Sequence, residues 1–349
     1  MKVALIAVQL EVDADVVASD LAYRTHIVSA VNRALEAAGP ADLRVIVLPE
    51  IAGHLALLAL APPAAHKART LGAALAAAAV RRPLEVLRGV VTTRLLDPRH
   101  AVLAALAPDG ERFWRGVFGP LARRVGAYVI AGSHLRLGPG GDLTNASFCF
   151  GPDGRLLSTT DKVNLVPGME DRAPKALGLA RGDAERLPIV NTPFGRLCTL
   201  ICYDGFREPH TSLERFVPMG PRLAARGGVS VVANPAANPW PWHEAWPPPS
   251  LRSAGDVVGP GEPGSREAQW EREGLPGSLA EMPFARFGIT AHLVGRVLDL
   301  RFDGQSEILE RSATGVRCLA RAEHHDRGGH VAVVEEIHGE RPANAPRHG

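Results

Sequence analysis

The sequence predicts an α/β fold on three observations. Residues 3–9 (VALIAVQ) form a short apolar run of strand type, and residues 44–49 (RVIVLP) form a second, rich in branched side chains. Between them, residues 20–38 carry Leu21, Ile27, Val28, Val31 and Leu35 at helical spacing, ending at Gly39-Pro40. A strand, a helix and a strand in succession are the opening of an α/β layer.

The following elements are read in order. Residues 51–112 are rich in Ala and Leu and broken by prolines, which predicts a helical insertion. Residues 113–125 form an amphipathic helix, and 128–133 (YVIAGS) another buried strand. Residues 146–150 and 155–162 read as two strands joined at Gly151-Pro-Asp-Gly154, a turn sequence suited to a hairpin. Residues 197–202 (LCTLIC) and 229–233 (VSVVA) are further strands, with weak helical character at 215–226 between them. The stretch 234–264 is rich in Pro, Gly and Trp and reads as a long loop. A helix is expected within 265–284, followed by strands at 288–297, 299–302, 307–309 and 331–337. Residues 340–349 are polar and expected to fray, so the reading is a single domain over 1–339.

Composition narrows the function. Hydrophobic residues make up 46% of the 349, enough for a sizeable core, and the net charge is only +2. That balance gives no support to nucleic acid or an anionic membrane as partner. No run of about 18 apolar residues exists, and the apolar start, residues 3–8, is too short for a secretory signal. Four cysteines (Cys149, Cys198, Cys202, Cys318) do not make a disulfide framework, which points to a reducing cytoplasm. His324, His325 and His330 lie in a Gly-rich polar segment that reads as solvated loop, so no metal and no cofactor is expected. The chain has four lysines against 35 arginines, so a lysine such as Lys162 has a raised chance of doing what Arg cannot.

Three polar residues stand at or just beyond strand ends: Glu50 after VIVLP, Lys162 after the hairpin, and Cys202 closing LCTLI. Reactive groups collect at the carboxyl ends of strands in α/β sheets. A thiol needs a neighbour to accept its proton, a carboxylate can accept and return it, and an ammonium stabilises a developing oxyanion. Each residue also has a plainer reading. Cys202 suits a small core residue, Glu50 a helix N-terminus, and Lys162 a strand edge.

The segments VIVLPE (45–50), DKVNLVPGME (161–170) and LICYDGFREP (200–209) together resemble the nitrilase, or carbon–nitrogen hydrolase, superfamily. Further similarity lies in AVQLEV, GPDGRLLSTTDK, TPFGRLCTLICYD and LVGRVLDLRFDGQSEI, covering nearly the whole chain apart from 51–112 and 241–264. The resemblance implies a four-layer α-β-β-α sandwich that assembles as a homodimer or larger homo-oligomer. It implies a catalytic Glu50, Lys162 and Cys202, with Glu170 as a second active-site glutamate. The string KVNLVPGME is closest to the apolipoprotein N-acyltransferase branch, which carries membrane helices that this chain lacks. Val163 and Asn164 depart from the His or Arg that follows the lysine in many members.

The expected activity is that of an amidase acting on a small-molecule amide, with a nitrilase, an N-acyltransferase or a non-catalytic scaffold as rivals. Tyr203, through its N–H, is the expected second oxyanion donor. Asn234 and Trp240 are the expected substrate-binding residues, with Trp242 and Trp246 as further pocket aromatics. Cys149, Cys198 and Cys318 are read as core, with Cys198 on the same face as Cys202.

Overall fold

The computed structural model of the protein describes residues 1–93, 97–173, 176–212, 214–247 and 264–337. The expected loop at 234–264 lies partly outside these residues, and the tail at 340–349 lies wholly outside them. The first half contributes strands β1 (Lys2–Val12), β2 (Leu43–Val47), β3 (Tyr128–Ile130), β4 (His134–Leu137), β5 (Leu143–Phe150) and β6 (Leu156–Asp161). The second half contributes β7 (Ile189–Thr192), β8 (Gly195–Thr199), β9 (Val231–Ala237), the short pair β10 (Ala245–Trp246) and β11 (Gly264–Ser265), β12 (Phe287–Val297), β13 (Leu300–Phe302), β14 (Glu307–Ser312), β15 (Gly315–Arg321) and β16 (Gly329–Glu336).

β1 runs parallel to β2, which runs parallel to β3, while β16 closes the other side of β1 antiparallel. β8, β9 and β12 form a second parallel group, with β14 antiparallel to β12. The two groups are hydrogen-bonded to one another at strand ends, where Leu10–Val12 pair with Leu293–Gly295. The sheet therefore curls so that two halves face one another.

Side-chain alternation decides what each face buries. Val3, Leu5 and Ala7 pack with Val231, Ala233, Ile289 and Ala291 in one cluster between the halves. Ala4, Ile6, Val8 and Leu10 point the other way, onto Tyr23, Ile27 and Val31 of helix α1 (Asp20–Ala38) and onto Trp114 and Phe118. On the far side, Val232 and Cys198 meet Leu275 and Leu279 of the helix Leu275–Ala280. Helix, sheet, sheet, helix is the order expected of the sandwich. Removing Leu5 down to Ala would cost about 2–5 kcal/mol, since its site is sealed on both sides.

Helix α1 starts where Ser19 accepts the Ala22 N–H at 3.1 Å and stops at Gly39, whose φ of 72° suits glycine. The region 51–112 is helical as expected, in α2 (Ala52–Ala59), α3 (Pro63–His66), α4 (Leu71–Arg81), α5 (Pro83–Thr93) and α6 (Pro98–Val125). Its expected end at 112 falls inside α6, which runs unbroken past Pro108 and Pro120. Packing overrides the local penalty, because Trp114 is fully buried and donates to the Ala131 carbonyl at 2.7 Å. α2 also belongs to the main core rather than to an appendage, with Ala52, Leu55 and Ala56 buried against α1 and α6.

Candidate active site

Glu50 sits three residues beyond β2, on a turn with little freedom. The next residue, Ile51, has φ of 66°, a left-handed conformation that a β-branched side chain rarely adopts. Ser133 holds it there by accepting the Ile51 N–H on its hydroxyl at 3.0 Å and the Gly53 N–H on its carbonyl at 2.8 Å. Gly132 approaches so closely that a Cβ would lie 2.1 Å from the Pro49 carbonyl oxygen.

Lys162 follows β6 and reaches inward. Its ammonium donates to Glu50 Oε1 at 2.7 Å and to Glu170 Oε2 at 2.6 Å, and all three residues are buried. Asn145, on the neighbouring strand β5, donates its Nδ2 to Glu50 Oε1 at 2.8 Å and to Glu170 Oε1 at 3.1 Å. The Val166 N–H adds a third donor to Glu170 at 2.9 Å. Two carboxylates thus share one ammonium and one amide.

Cys202 lies three residues past β8, at the start of a 3-10 turn (Cys202–Gly205), with φ of 48°. This placement differs from the expected strand end. It also separates Cys202 from Cys198, which points into the opposite cluster under the outer helices. Strain of this kind persists only where surrounding bonds impose it. Here Asn234 donates to the Leu200 carbonyl at 2.7 Å and the Cys202 carbonyl at 3.1 Å. Asp204 accepts the Asn164 N–H at 2.6 Å and the Val163 N–H at 3.1 Å, tying this turn to the segment after Lys162.

The electrostatics follow from burial and the charge pair. Burial pushes Glu50 above the usual carboxylate range, opposed by Lys162 and reinforced by Glu170. Interaction with the Cys202 thiol also works to lower it, and the carboxylate in turn pushes the thiol up. Burial works against the charge of Lys162, but Glu170 and Glu50 outweigh it and hold the ammonium well above its ordinary pKa. The Cys202 thiol is pushed up by burial and then by Glu50, so it rests protonated; its Sγ lies 3.6 Å from the Ala237 carbonyl.

A cavity of about 350 Å³ opens onto this group, walled by Glu50, Lys162, Glu170, Ala237 and Pro239 at its polar end. Cys202 is only 5% exposed and is not itself among the lining residues; its Sγ contacts the carbonyl of Ala237, which is one of them. His54 also lines the cavity; burial holds it down to about 4, so it is neutral at pH 7.

The structure therefore brings together Glu50, Lys162, Glu170 and Cys202. It uses two other expected residues differently. Asn234 is wholly buried and spends its amide on the cysteine turn rather than on the cavity, and the adjoining Gly205 leaves room for it, since a Cβ there would meet that amide at 2.7 Å. Trp240 is not among the cavity-lining residues; its ring, with Trp246, flanks the buried Arg266 guanidinium at 4.8 and 3.9 Å. The Tyr203 phenol donates to Glu214 at 2.5 Å, a bond that does not involve the backbone N–H expected to serve the site. Cys318 is exposed rather than core. Sequence reasoning passed over Asn145, Ser133, His54 and Asp204. Asn145 carried a signal, being a polar side chain inside a run of strand residues (LTNASFCF) that is buried throughout.

Comparison with known proteins gives a consistent picture. The carbon-nitrogen hydrolase family profile matches residues 2–248. Over 92 residues the chain is 36% identical to omega-amidase NIT2 of Danio rerio, a match that takes in 25% of this chain and about a third (32%) of that relative's length. A double mutant of the amidase from Nesterenkonia sp. AN1, in complex with acrylamide, has a TM-score of 0.56 at 16% identity, covering 96% of this chain and 90% of that one. A single mutant of the same amidase, in complex with butyramide, gives 0.55 at 17% identity over 96% and 90% of the two chains. At such identities these structures speak for the fold, whereas the profile match over most of the sequence speaks for ancestry. The chain belongs to the carbon-nitrogen hydrolase family.

Proposed function

We propose that the protein is an amidase that cleaves a non-peptide C–N bond through a thioester on Cys202. The observation that carries this reading is one carboxylate, Glu50, whose Oε1 accepts from a buried ammonium and a buried amide and which interacts with a buried thiol. Glu50 takes the Cys202 proton as the sulfur attacks the amide carbonyl carbon. The C–S bond forms, and the carbonyl electron pair moves to oxygen, where Lys162 and the Tyr203 N–H stabilise it. Collapse breaks the C–N bond, and the amine leaves with the proton held by Glu50. Water then attacks the thioester while Glu50 accepts its proton, and the thiol is regenerated as the acid departs.

Raised basicity suits Glu50 to this exchange, since a proton acceptor works best when its pKa approaches that of its donor and the working pH. Glu170 keeps Lys162 charged and in place. In this reading the protein needs no metal or organic cofactor. The reading extends to a cytoplasmic homodimer or larger homo-oligomer. Exposed Leu84, Leu87 and Val91 on α5 support an assembly surface, and scattering mass in solution tests it.

The function is tested by ammonia release from a panel of simple amides by wild type and Cys202→Ala. Release by the wild type and its loss in the variant are expected. Equal release by both would contradict the assignment. Adding a nitrile separates nitrilase activity, and adding hydroxylamine, which would be converted to a hydroxamate, separates acyl transfer. In a related amidase from Nesterenkonia sp. AN1, a mutant carries the acetamide moiety of fluoroacetamide bound covalently to its active-site cysteine, which supports a nucleophilic cysteine here by analogy.

A further inference from the structure

We infer that the acyl group this site accepts is a long apolar one, an aliphatic or arylalkyl chain, seated between helices α2, α4 and α6. The inference rests on the amidase reading and adds the substrate class to it. Beyond its polar end, the cavity wall is aliphatic: Leu55 and Leu58 of α2, Leu71 and Leu75 of α4, and Leu103 and Leu106 of α6. Phe302 and Met169 close the remaining sides.

The charged groups among the described lining residues are Glu50, Lys162 and Glu170, and these are already paired with one another. A carboxylate at the tail of a substrate would meet no unpaired cation there, and a polar tail would lose water for nothing in return. His54 is neutral and offers no charge either. An apolar chain, by contrast, gains with every methylene it removes from water. At roughly 30 Å³ for a water-sized group, the cavity of about 350 Å³ holds about ten methylene-sized groups.

Two small residues make the space. Ala74 and Ala78 lie one turn apart on α4, both buried and both facing the cavity. Larger side chains at these positions would fill it. The helical segment thus has a role in substrate choice as well as in packing, because α4 lies against α6 while contributing its cavity face.

The test uses the full chain carrying Cys202→Ala, titrated by calorimetry with acetamide, hexanamide, octanamide and succinamate. Affinity should rise about threefold to fourfold per added methylene, so octanamide, with six more methylenes, should bind about 10³-fold more tightly than acetamide. Succinamate should gain nothing over acetamide. Adding Ala78→Leu should remove most of the octanamide gain and leave acetamide unaffected, and Ala74→Leu should do the same if the first variant folds poorly by circular dichroism. Equal affinity for acetamide and octanamide, or a preference for succinamate, would overturn the inference. Ammonia release by wild type separates the two readings. Tight octanamide binding without hydrolysis contradicts the amidase reading and supports the apolar pocket. Hydrolysis without any chain-length preference contradicts the pocket and leaves the amidase reading intact.

Discussion

Asp204 accepts the backbone N–H of Asn164 at 2.6 Å, and through that bond the turn carrying Cys202 is fixed to the segment carrying Lys162. The two segments come from different halves of the curled sheet, so a single buried carboxylate sets how nucleophile and ammonium meet. Burial pushes this carboxyl up to about 7, against the opposing pull of the Asn164 amide, the Lys162 charge and the Val163 amide.

A pH-dependent stability follows. Between about pH 4 and pH 7 the folded state keeps the Asp204 proton, whereas the unfolded chain has released it. The stability linked to that proton is present below the unfolded pKa and is lost as pH rises through 7. Asp204→Asn carries no such proton. Its stability deficit against wild type should therefore shrink as the pH rises from about 4 to 7. Urea unfolding of both proteins at several pH values measures this, and a deficit independent of pH would contradict it.

Glu170 should reveal itself through the titration of its neighbour. Its charge raises the pKa of Glu50 and of Lys162. In Glu170→Gln both should titrate lower, so both limbs of the pH profile of kcat/KM should move to lower pH. The maximal rate should fall by about 10²-fold. A lower rate with an unmoved profile would reduce Glu170 to a packing role.

The left-handed backbone at Cys202 makes an unusual ordering of variants. Glycine ordinarily destabilises a protein relative to alanine. At φ of 48° the order should reverse, with Cys202→Gly more stable than Cys202→Ala by about 1 kcal/mol. Denaturant unfolding of the two variants decides it; the ordinary order would mean that the turn carries no strain.

Much of this was legible in the sequence where apolar runs coincide with strands. β2 and β3 are buried along most or all of their length, and their Val- and Ile-rich runs announced them. β15 was missed because it is largely exposed on both faces and alternates no clear pattern (GVRCLAR). β9 was read as ending at 233, yet it continues through Asn234 and Pro235 to Ala237. A proline is tolerated there because β8 pairs only as far as Ala233, leaving no partner for a Pro235 N–H on that side. The reacting groups could be found because each follows a strand. The residues that hold them could not, since Asn145 and Asp204 matter through partners 95 and 40 residues away in sequence. Trp240 and Asn234 misled for a related reason. A Trp-rich, Asn-containing segment after a strand suits a pocket wall, but here the ring flanks a buried arginine and the amide braces the cysteine turn.

The most direct measurement is peptide mapping by mass spectrometry of the wild-type protein after brief exposure to a reactive amide such as fluoroacetamide. Displacement of fluoride by the sulfur leaves a thioether that water does not cleave, so the adduct should persist, and it should map to the peptide containing Cys202. An adduct on Cys149, Cys198 or Cys318 with Cys202 unmodified would contradict the assignment of the nucleophile and the mechanism built upon it.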